Sequence, residues 1–385
     1  MKMARISRYK TLPLFDKNGV VFVVADPDRM LRSLHLIDQQ AAGNLAGDGR
    51  IINNEFQNMY LIRSLVNEAI TSSQLEGAAT TRKIAKEMIA QGRAPNDKSE
   101  QMIYNNYAAM QHIREKKGGS LTPNFIFELH RMLTDKTLDN PEDSGRFRSG
   151  NDIVVSDNRD GELLHDPPKA EELPERLQRL CDFANTDSTE YFIHPLVKGI
   201  ILHFTIGYDH PFVDGNGRLA RAIFYWYMIS KGYWLMEHIS ISHIIKMAPA
   251  KYAKAYLYTE TDGNDLTYFA LHQINVIEKA LKLLREYIKS QNREIADAED
   301  LLRANPRLAG KLNHRQLQLI RHALRHPGYV YNIREHQSYH GVSYNSSRTD
   351  LHELADDFRI FEKVKTGKTY NFRAPMNIKE ILQSG

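Results

Sequence analysis

Residues 210–221 read His210-Pro-Phe-Val-Asp-Gly-Asn-Gly-Arg-Leu-Ala-Arg221, and the reading of the whole chain starts there. Gly215-Asn216-Gly217 is a poor helix interior, yet residues 219–228 are strongly helical, so a glycine-rich turn sits at a helix N-terminus. Such a turn presents backbone N–H groups and the positive end of the helix dipole, an arrangement suited to phosphate. Arg218 and Arg221 stand three apart on the opening turn, where a helix favours acidic side chains, and a polyphosphate would compensate them. Asp214 lies among these anion-binding groups, which suggests a magnesium ion bridging carboxylate and phosphate. His210, just before the loop, can accept a proton from a hydroxyl nucleophile.

Outward from this segment the apolar spacing predicts helices over 194–207 and 217–231, then 248–260 and 266–292. Upstream, helices are predicted over 84–90, 100–116, 122–133 and 170–184, with Thr122-Pro123 as cap and first helical residue of the third. A further amphipathic helix starts at Glu55 and ends near Gly77. Between Gly145 and Pro168 two short extended runs flank an Asp157–Gly161 turn and read as a β-hairpin. The first fifty residues read as mixed, with an apolar run at 20–25 and a helical piece at 28–40, and carry no evident chemistry.

The chain has 385 residues, enough for two or three domains, with 42% hydrophobic and 25% charged residues, ordinary values for a globular protein. No apolar run is long enough for a membrane span, and the N-terminus lacks a signal-peptide core, so a cytoplasmic protein is expected. One cysteine, Cys181, excludes an internal disulfide and a cysteine zinc site; its apolar surroundings suggest packing. The net charge of +4 is unevenly spread: residues 311–385 hold 12 Lys+Arg against 7 Asp+Glu, leaving 39 against 40 elsewhere. Six of sixteen histidines also fall there, which argues for a separate C-terminal domain.

The segment 210–221 resembles the defining motif of the Fic family, His-x-Phe-x-(Asp/Glu)-Gly-Asn-Gly-Arg-x-x-Arg, and every specified position matches. The resemblance implies a mainly α fold, a Fic helical core with a β-hairpin flap, and transfer of AMP from ATP to a Ser, Thr or Tyr hydroxyl of a protein. It implies His210 as base and Asp214 as the Mg2+ ligand. It makes Gly215, Asn216 and Gly217 the phosphate cradle, Phe212 the loop anchor, and Arg218 and Arg221 the groups that hold the ATP phosphates. The related Doc branch, which phosphorylates its target, has Lys where this chain has Gly217, so nucleotidyl transfer is favoured. His194-Pro195 and His203-Phe204 look like the family's preceding helix, and Asp166-Pro-Pro168 like its Pro-Pro after the flap.

The flap would include Asn151, Asp152, Ile153, Val154 and Val155, running to Ser156, with an edge that pairs with an extended target segment. An ordinary exposed hairpin is the other reading. Tyr252 and Tyr256 lie where the family has an aromatic stretch near adenine, though Ala253 replaces one of its tyrosines; they read equally as core residues. Glu76, in the last turn of its helix, is by itself either solvated or facing a cation. Ser72-x-x-x-Glu76-Gly77, however, resembles the family's inhibitory motif. That implies a Glu76–Arg221 pair blocking the γ-phosphate, with Ser72 holding the loop.

In the C-terminus, helices over 314–326, 333–340 and 343–358 and two strands around Thr366-Gly-Lys368 look like a winged helix-turn-helix domain with Lys363, Lys365 and Lys368 on its wing. It would dock on DNA or on protein; Asp350, Glu353, Asp356 and Asp357 on the third helix weigh against DNA. The chain thus divides into an N-terminal region 1–100 with the inhibitory helix at about 55–77, a catalytic core 101–292, a connector 293–312 and a winged-helix domain 313–385. The rival readings are a nucleotide sensor without turnover and an enzyme that removes AMP. A homodimer and modification of the chain itself complete the partner readings.

Overall fold

The computed structural model describes residues 8–41, 54–156, 163–303, 305, 308, 310–366 and 369–383. They fall into two compact units, one drawn from 1–51, 61–86 and 94–281 and the other from 52–60, 87–93 and 282–385. No described helix is long and apolar enough to cross a membrane.

The first unit is helical around a buried pair, α7 (Pro195–Asp209) and α8 (Asn216–Ser230), joined by the motif loop. Their sequences are apolar nearly all round, as helices enclosed on every side must be, and almost every residue of each is buried. Around them lie α4 (Lys98–Glu115), α5 (Pro123–Thr134), α6 (Leu173–Asn185), α9 (Ile241–Met247), α10 (Pro249–Thr261) and the start of α11 (Thr267–Arg303). α5 begins as expected, with the Thr122 hydroxyl accepting the Phe125 N–H and Pro123 in the first turn. Cys181 is buried and burial pushes its thiol up to about 12, which suits a packing residue.

Residues 8–41 are built into this unit. β1 (Lys10–Phe15) and β2 (Val21–Val24) form an antiparallel hairpin, followed by α1 (Asp28–Ala41). The outer edge of β2 does not stay open: the Val23 N–H donates to Asn264 O at 3.0 Å and the Leu266 N–H to Val23 O at 2.8 Å. The Ala25 N–H is taken by the Thr267 hydroxyl at 2.9 Å. An N-terminal region ending at residue 100 therefore does not describe this part of the chain. α2 (Asn54–Leu75) and α3 (Arg82–Gln91) precede α4, and Gly77 after α2 takes the left-handed φ of 93° that glycine tolerates.

The expected connector is helical over its first half. α11 runs to Arg303, because nothing in residues 267–303 breaks a helix before Asn305-Pro306. The division between units falls at 281/282, within this helix.

The second unit contains α12 (His314–Arg325), β5 (Val330–Tyr331), α13 (Ile333–His340), α14 (Tyr344–Asp356), β6 (Glu362–Thr366), β7 (Thr369–Arg373) and α15 (Ile378–Gln383). β5 and α15 go beyond the sequence reading. The sheet is antiparallel in the order β5-β7-β6 and covers a core that includes Ile320, Leu351, Leu354, Phe372 and Leu382. The expected turns at 157–161 and at Lys368 lie outside the described residues.

Burial, with His336 and Arg315 adding their charge, lowers His340 to about 3. Its ordinary value is 6.5, so between these limits the unfolded chain takes up a proton that the folded unit refuses, and stability is lost as pH falls. Hydrogen exchange of α12–α14 in the full chain, corrected for intrinsic rates, should lose protection below pH ~6.5 by about 1.4 kcal/mol per pH unit for this group. His340→Gln should flatten the slope; an identical slope in that variant would refute the assignment.

Candidate active site

The loop between α7 and α8 is fixed residue by residue. His210 closes α7 in a left-handed conformation, φ 45° and ψ 56°, with its N–H donating to Ile206 O at 3.1 Å. That backbone costs a non-glycine residue roughly 1–3 kcal/mol and persists only where neighbours hold it. His165 Nε2 meets Tyr208 O at 2.7 Å. Arg176 donates from Nε and Nη2 to Asp209 Oδ1 at 2.9 and 2.7 Å, and its fork also reaches Phe15 O and Asp16 O on the N-terminal hairpin. Arg148, 3% exposed, donates from Nε to His210 O at 2.9 Å, and its backbone N–H donates to Pro211 O at 3.0 Å. Its remaining nitrogens bind Gly150 O and Pro168 O, so one guanidinium ties His210 to both ends of the flap.

Phe212 is fully buried, stacked on His130 at 3.8 Å and 12°. The Asn216 side chain closes the loop on it: the Phe212 N–H donates to Oδ1 at 3.0 Å and Nδ2 donates to Phe212 O at 2.7 Å. Asn216 was expected in the phosphate cradle; its side chain binds both the N–H and the carbonyl of Phe212 and so faces its own loop. His130 accepts the Gly145 N–H on Nδ1 at 2.9 Å, which makes Nε2 the donor to Asp214 O, also at 2.9 Å.

Asp214 keeps an accessible carboxylate, 48% exposed, whose oxygens accept from the Gly215 N–H at 2.5 Å and Arg218 Nη2 at 3.3 Å. Arg218 is not laid open as a phosphate clamp. Its side chain is fully buried and donates to Leu133 O at 2.7 Å, so it acts on the loop from behind. Arg221 points to the site's opposite wall, α2. Nε donates to Ser72 Oγ at 2.8 Å, and Nη2 to Ser72 O at 3.1 Å and to Glu76 Oε1 at 2.8 Å. Ser72 thus holds Arg221 and not the loop.

The Glu76 carboxylate also covers the start of α8. A methyl group added at Gly217 would lie 2.2 Å from Glu76 Oε1, so only glycine permits this approach. Burial by itself would raise the Glu76 carboxyl, but Arg221, with Arg218 and His210 adding, holds it below its ordinary value. Burial lowers His210, with Glu76 opposing, so the imidazole is neutral at pH 7 and able to accept a proton. α2 is anchored here by Glu68, a buried carboxylate that accepts from Ser240 Oγ at 2.7 Å, from the Ser242 hydroxyl and from the Ser242 N–H at 3.2 Å.

Tyr252 and Tyr256 lie in an aromatic cluster behind the motif. The Tyr252 hydroxyl meets His203 Nε2 at 2.8 Å and the Tyr256 hydroxyl at 3.3 Å, while the Tyr256 ring stacks on Phe204 at 4.9 Å. These contacts fit the core reading of both. Among the described residues of the flap, Val155–Ser156 (β3) pairs with Leu163–His165 (β4). Residues 151–154 are not strand: Asn151 Oδ1 accepts the Ala170 N–H at 2.7 Å, which pins them as loop, and Asp152 and Val154 are exposed.

Residues 120–228 match the Fic/DOC family. They form a Fic domain. Protein adenylyltransferase Fic of Nematostella vectensis is 27% identical over 185 residues, 47% of this chain and 39% of that protein. Protein adenylyltransferase fic-1 of Caenorhabditis elegans is 25% identical over 234 residues, 60% of this chain and 42% of its own length. The chain thus spans about two fifths of these curated relatives. The crystal structure of a Fic family protein from Desulfovibrio desulfuricans G20 shares the fold with TM-score 0.55 and 18% identity, covering 90% of this chain and 94% of that one. A Fic domain containing signaling protein from Bacteroides thetaiotaomicron gives TM-score 0.50 at 20% identity, over 67% of this chain and 96% of that one.

The clamp on Phe212 has a measurable consequence for the Fic domain. Asn216→Ala leaves a buried N–H and a buried carbonyl without partners and should lower unfolding free energy by about 1–3 kcal/mol, read by denaturant unfolding. Asn216→Asp keeps one of the two bonds and should fall between; an alanine variant as stable as wild type would contradict the clamp.

Proposed function

We propose that this chain transfers AMP from ATP to a hydroxyl side chain of a target protein, and that Glu76 restrains it. The observation that carries the proposal is the Glu76 carboxylate, bound to Arg221 and lying against Gly217, at the helix N-terminus where a phosphate would bind. The Fic domain and the adenylyltransferase relatives support the same chemistry.

The first-turn N–H groups of α8 have no intrahelical partners and, with Arg221, form a cationic seat for the polyphosphate. Neutral His210 takes the proton of the target hydroxyl as its oxygen attacks the α-phosphorus. The bond from that phosphorus to the bridging oxygen breaks, pyrophosphate leaves with the electron pair, and AMP stays on the target. Asp214, a single exposed carboxylate beside the seat, is a donor of the kind magnesium uses together with substrate phosphates; no described cluster of His, Cys, Asp or Glu could cage an ion. A bound magnesium would supply charge neutralisation of the phosphates. The loop 152–154, exposed at Asp152 and Val154, and the short β3 edge would meet the target backbone.

Glu76 competes with the terminal phosphate for one cationic seat. With α-labelled ATP and magnesium in a cell extract, Glu76→Gly should raise protein labelling at least ~10-fold. Adding His210→Ala should remove about 100-fold or more of that gain. No difference between wild type and Glu76→Gly would refute the restraint. Label from γ-labelled ATP would mean phosphoryl transfer, and ATP binding without any label would favour a sensor or AMP removal.

A further inference from the structure

We infer that the C-terminal unit binds duplex DNA, with the first two turns of α14 reading the major groove. Only Gly341-Val342-Ser343 separates α13 from α14; Gly341 takes φ 64°, and the Ser343 hydroxyl caps α14 by accepting the Ser346 N–H at 3.1 Å. Two helices joined by a three-residue glycine turn form a helix-turn-helix. The β6–β7 hairpin, paired with β5 through β7, supplies a wing. α14 turns Ser347, Asp350, Leu351 and Leu354 into the core, so Tyr344, Asn345, Arg348 and Thr349 form the exposed surface of its N-terminal half. None is acidic, and asparagine and arginine are the side chains that read adenine and guanine edges in pairs of hydrogen bonds.

The acidic residues of the same helix weighed against DNA, and the structure disposes of three of them. Asp350, 2% exposed, accepts from Asn313 Nδ2 at 2.7 Å, Arg315 Nε at 2.6 Å and His336 Nε2 at 3.1 Å. Glu353 accepts from Gln316 Nε2 at 2.6 Å. Asp356 is bound by Lys363 and, at 3.2 Å, by His352 Nδ1. Asp357 lies at the C-terminal end of the helix. Arg334 on α13 and Lys365 on β6 are exposed cations, on the elements that in this architecture run beside the phosphates. A protein-docking helix would instead present clustered apolar anchors, and this stretch offers only Tyr344.

The test uses the full chain and a labelled pool of random-sequence duplexes, followed by anisotropy and by selection of bound sequences. Binding should weaken at least ~10-fold between roughly 50 and 200 mM salt. Selection should yield a preferred site, and Asn345→Ala and Arg348→Ala should each cost that site about 10- to 100-fold in preference. Lys365→Ala should weaken all sequences alike. Unchanged hydrogen exchange in α12–α14 and unchanged AMP transfer certify the variants as folded. No binding at the lower salt, binding without a preferred site, or a site preference indifferent to Asn345 and Arg348 each overturns the inference, as does capture of a protein by the same face that duplex DNA fails to displace.

Discussion

The left-handed turn at His210 is the constraint on which the candidate site depends. A histidine adopts such a backbone only where the structure over-determines it. Here the carbonyls or side chains of residues 208, 209, 210, 212 and 214 are each bound by a side chain, that of 212 by Asn216 at the start of α8 and the others by residues far along the chain. The donors come from β4, α6, the flap base, α8 and α5, so the loop is the common knot of five segments. Arg176 extends the knot to the carbonyls of Phe15 and Asp16, which makes the N-terminal hairpin a support of the motif turn. Under the proposed transfer, a base at His210 would gain from this rigidity, because misplacement by an ångström costs orders of magnitude in rate.

The second organising interaction is electrostatic. Glu76 directly follows α2, whose C-terminal dipole disfavours negative charge, yet it lies at the N-terminus of α8, where that helix's dipole favours it. Arg221 settles the competition: buried and bonded to Ser72 and Glu76, it would be a costly uncompensated charge without an anion beside it. The same logic admits a phosphate in place of the carboxylate. Under the proposed function, a restraint made this way would need no separate inhibitory site, since the anion requirement of one guanidinium would be met either by the chain or by the substrate.

Much of this was legible from the sequence, and the parts that were not share a physical reason. Residues 210–221 announced the glycine turn and the helix behind it, because each depends on residue type at fixed short spacing. Thr122-Pro123 marked the start of α5 for the same reason. Hidden were the side chains that grip backbone carbonyls across long separations: Arg148 reaches His210 over 62 positions and His130 reaches Asp214 over 84. A carbonyl has no signature in sequence, so its partner cannot be inferred from pattern. A weak trace existed in His130, which falls at the spacing of buried Ile126 and Leu133 on α5 and so had to be a paired histidine in the core. Asn216 was legible as a motif residue but not in its role, since the motif does not say whether an amide faces the ligand or its own loop.

The C-terminal unit carries the same lesson to surface charge. Counting along α14 and its C-cap, Asp357, gives four acidic residues and one arginine, a composition hostile to a polyanion. Folded, the helix spends Asp350 on Arg315 and His336, Glu353 on Gln316, and Asp356 on His352 and Lys363. The capping of α12 by Asn313 explains why the first of these is buried: Asn313 and Arg315 stand at its N-terminus and converge on one carboxylate, which the helix dipole also favours. The acid serves to dock α14 on α12, and what remains outward in its first two turns is Tyr344, Asn345, Arg348 and Thr349. A helix's partner is therefore argued from the charges left after internal pairing, and on that count α14 is no longer an acidic helix.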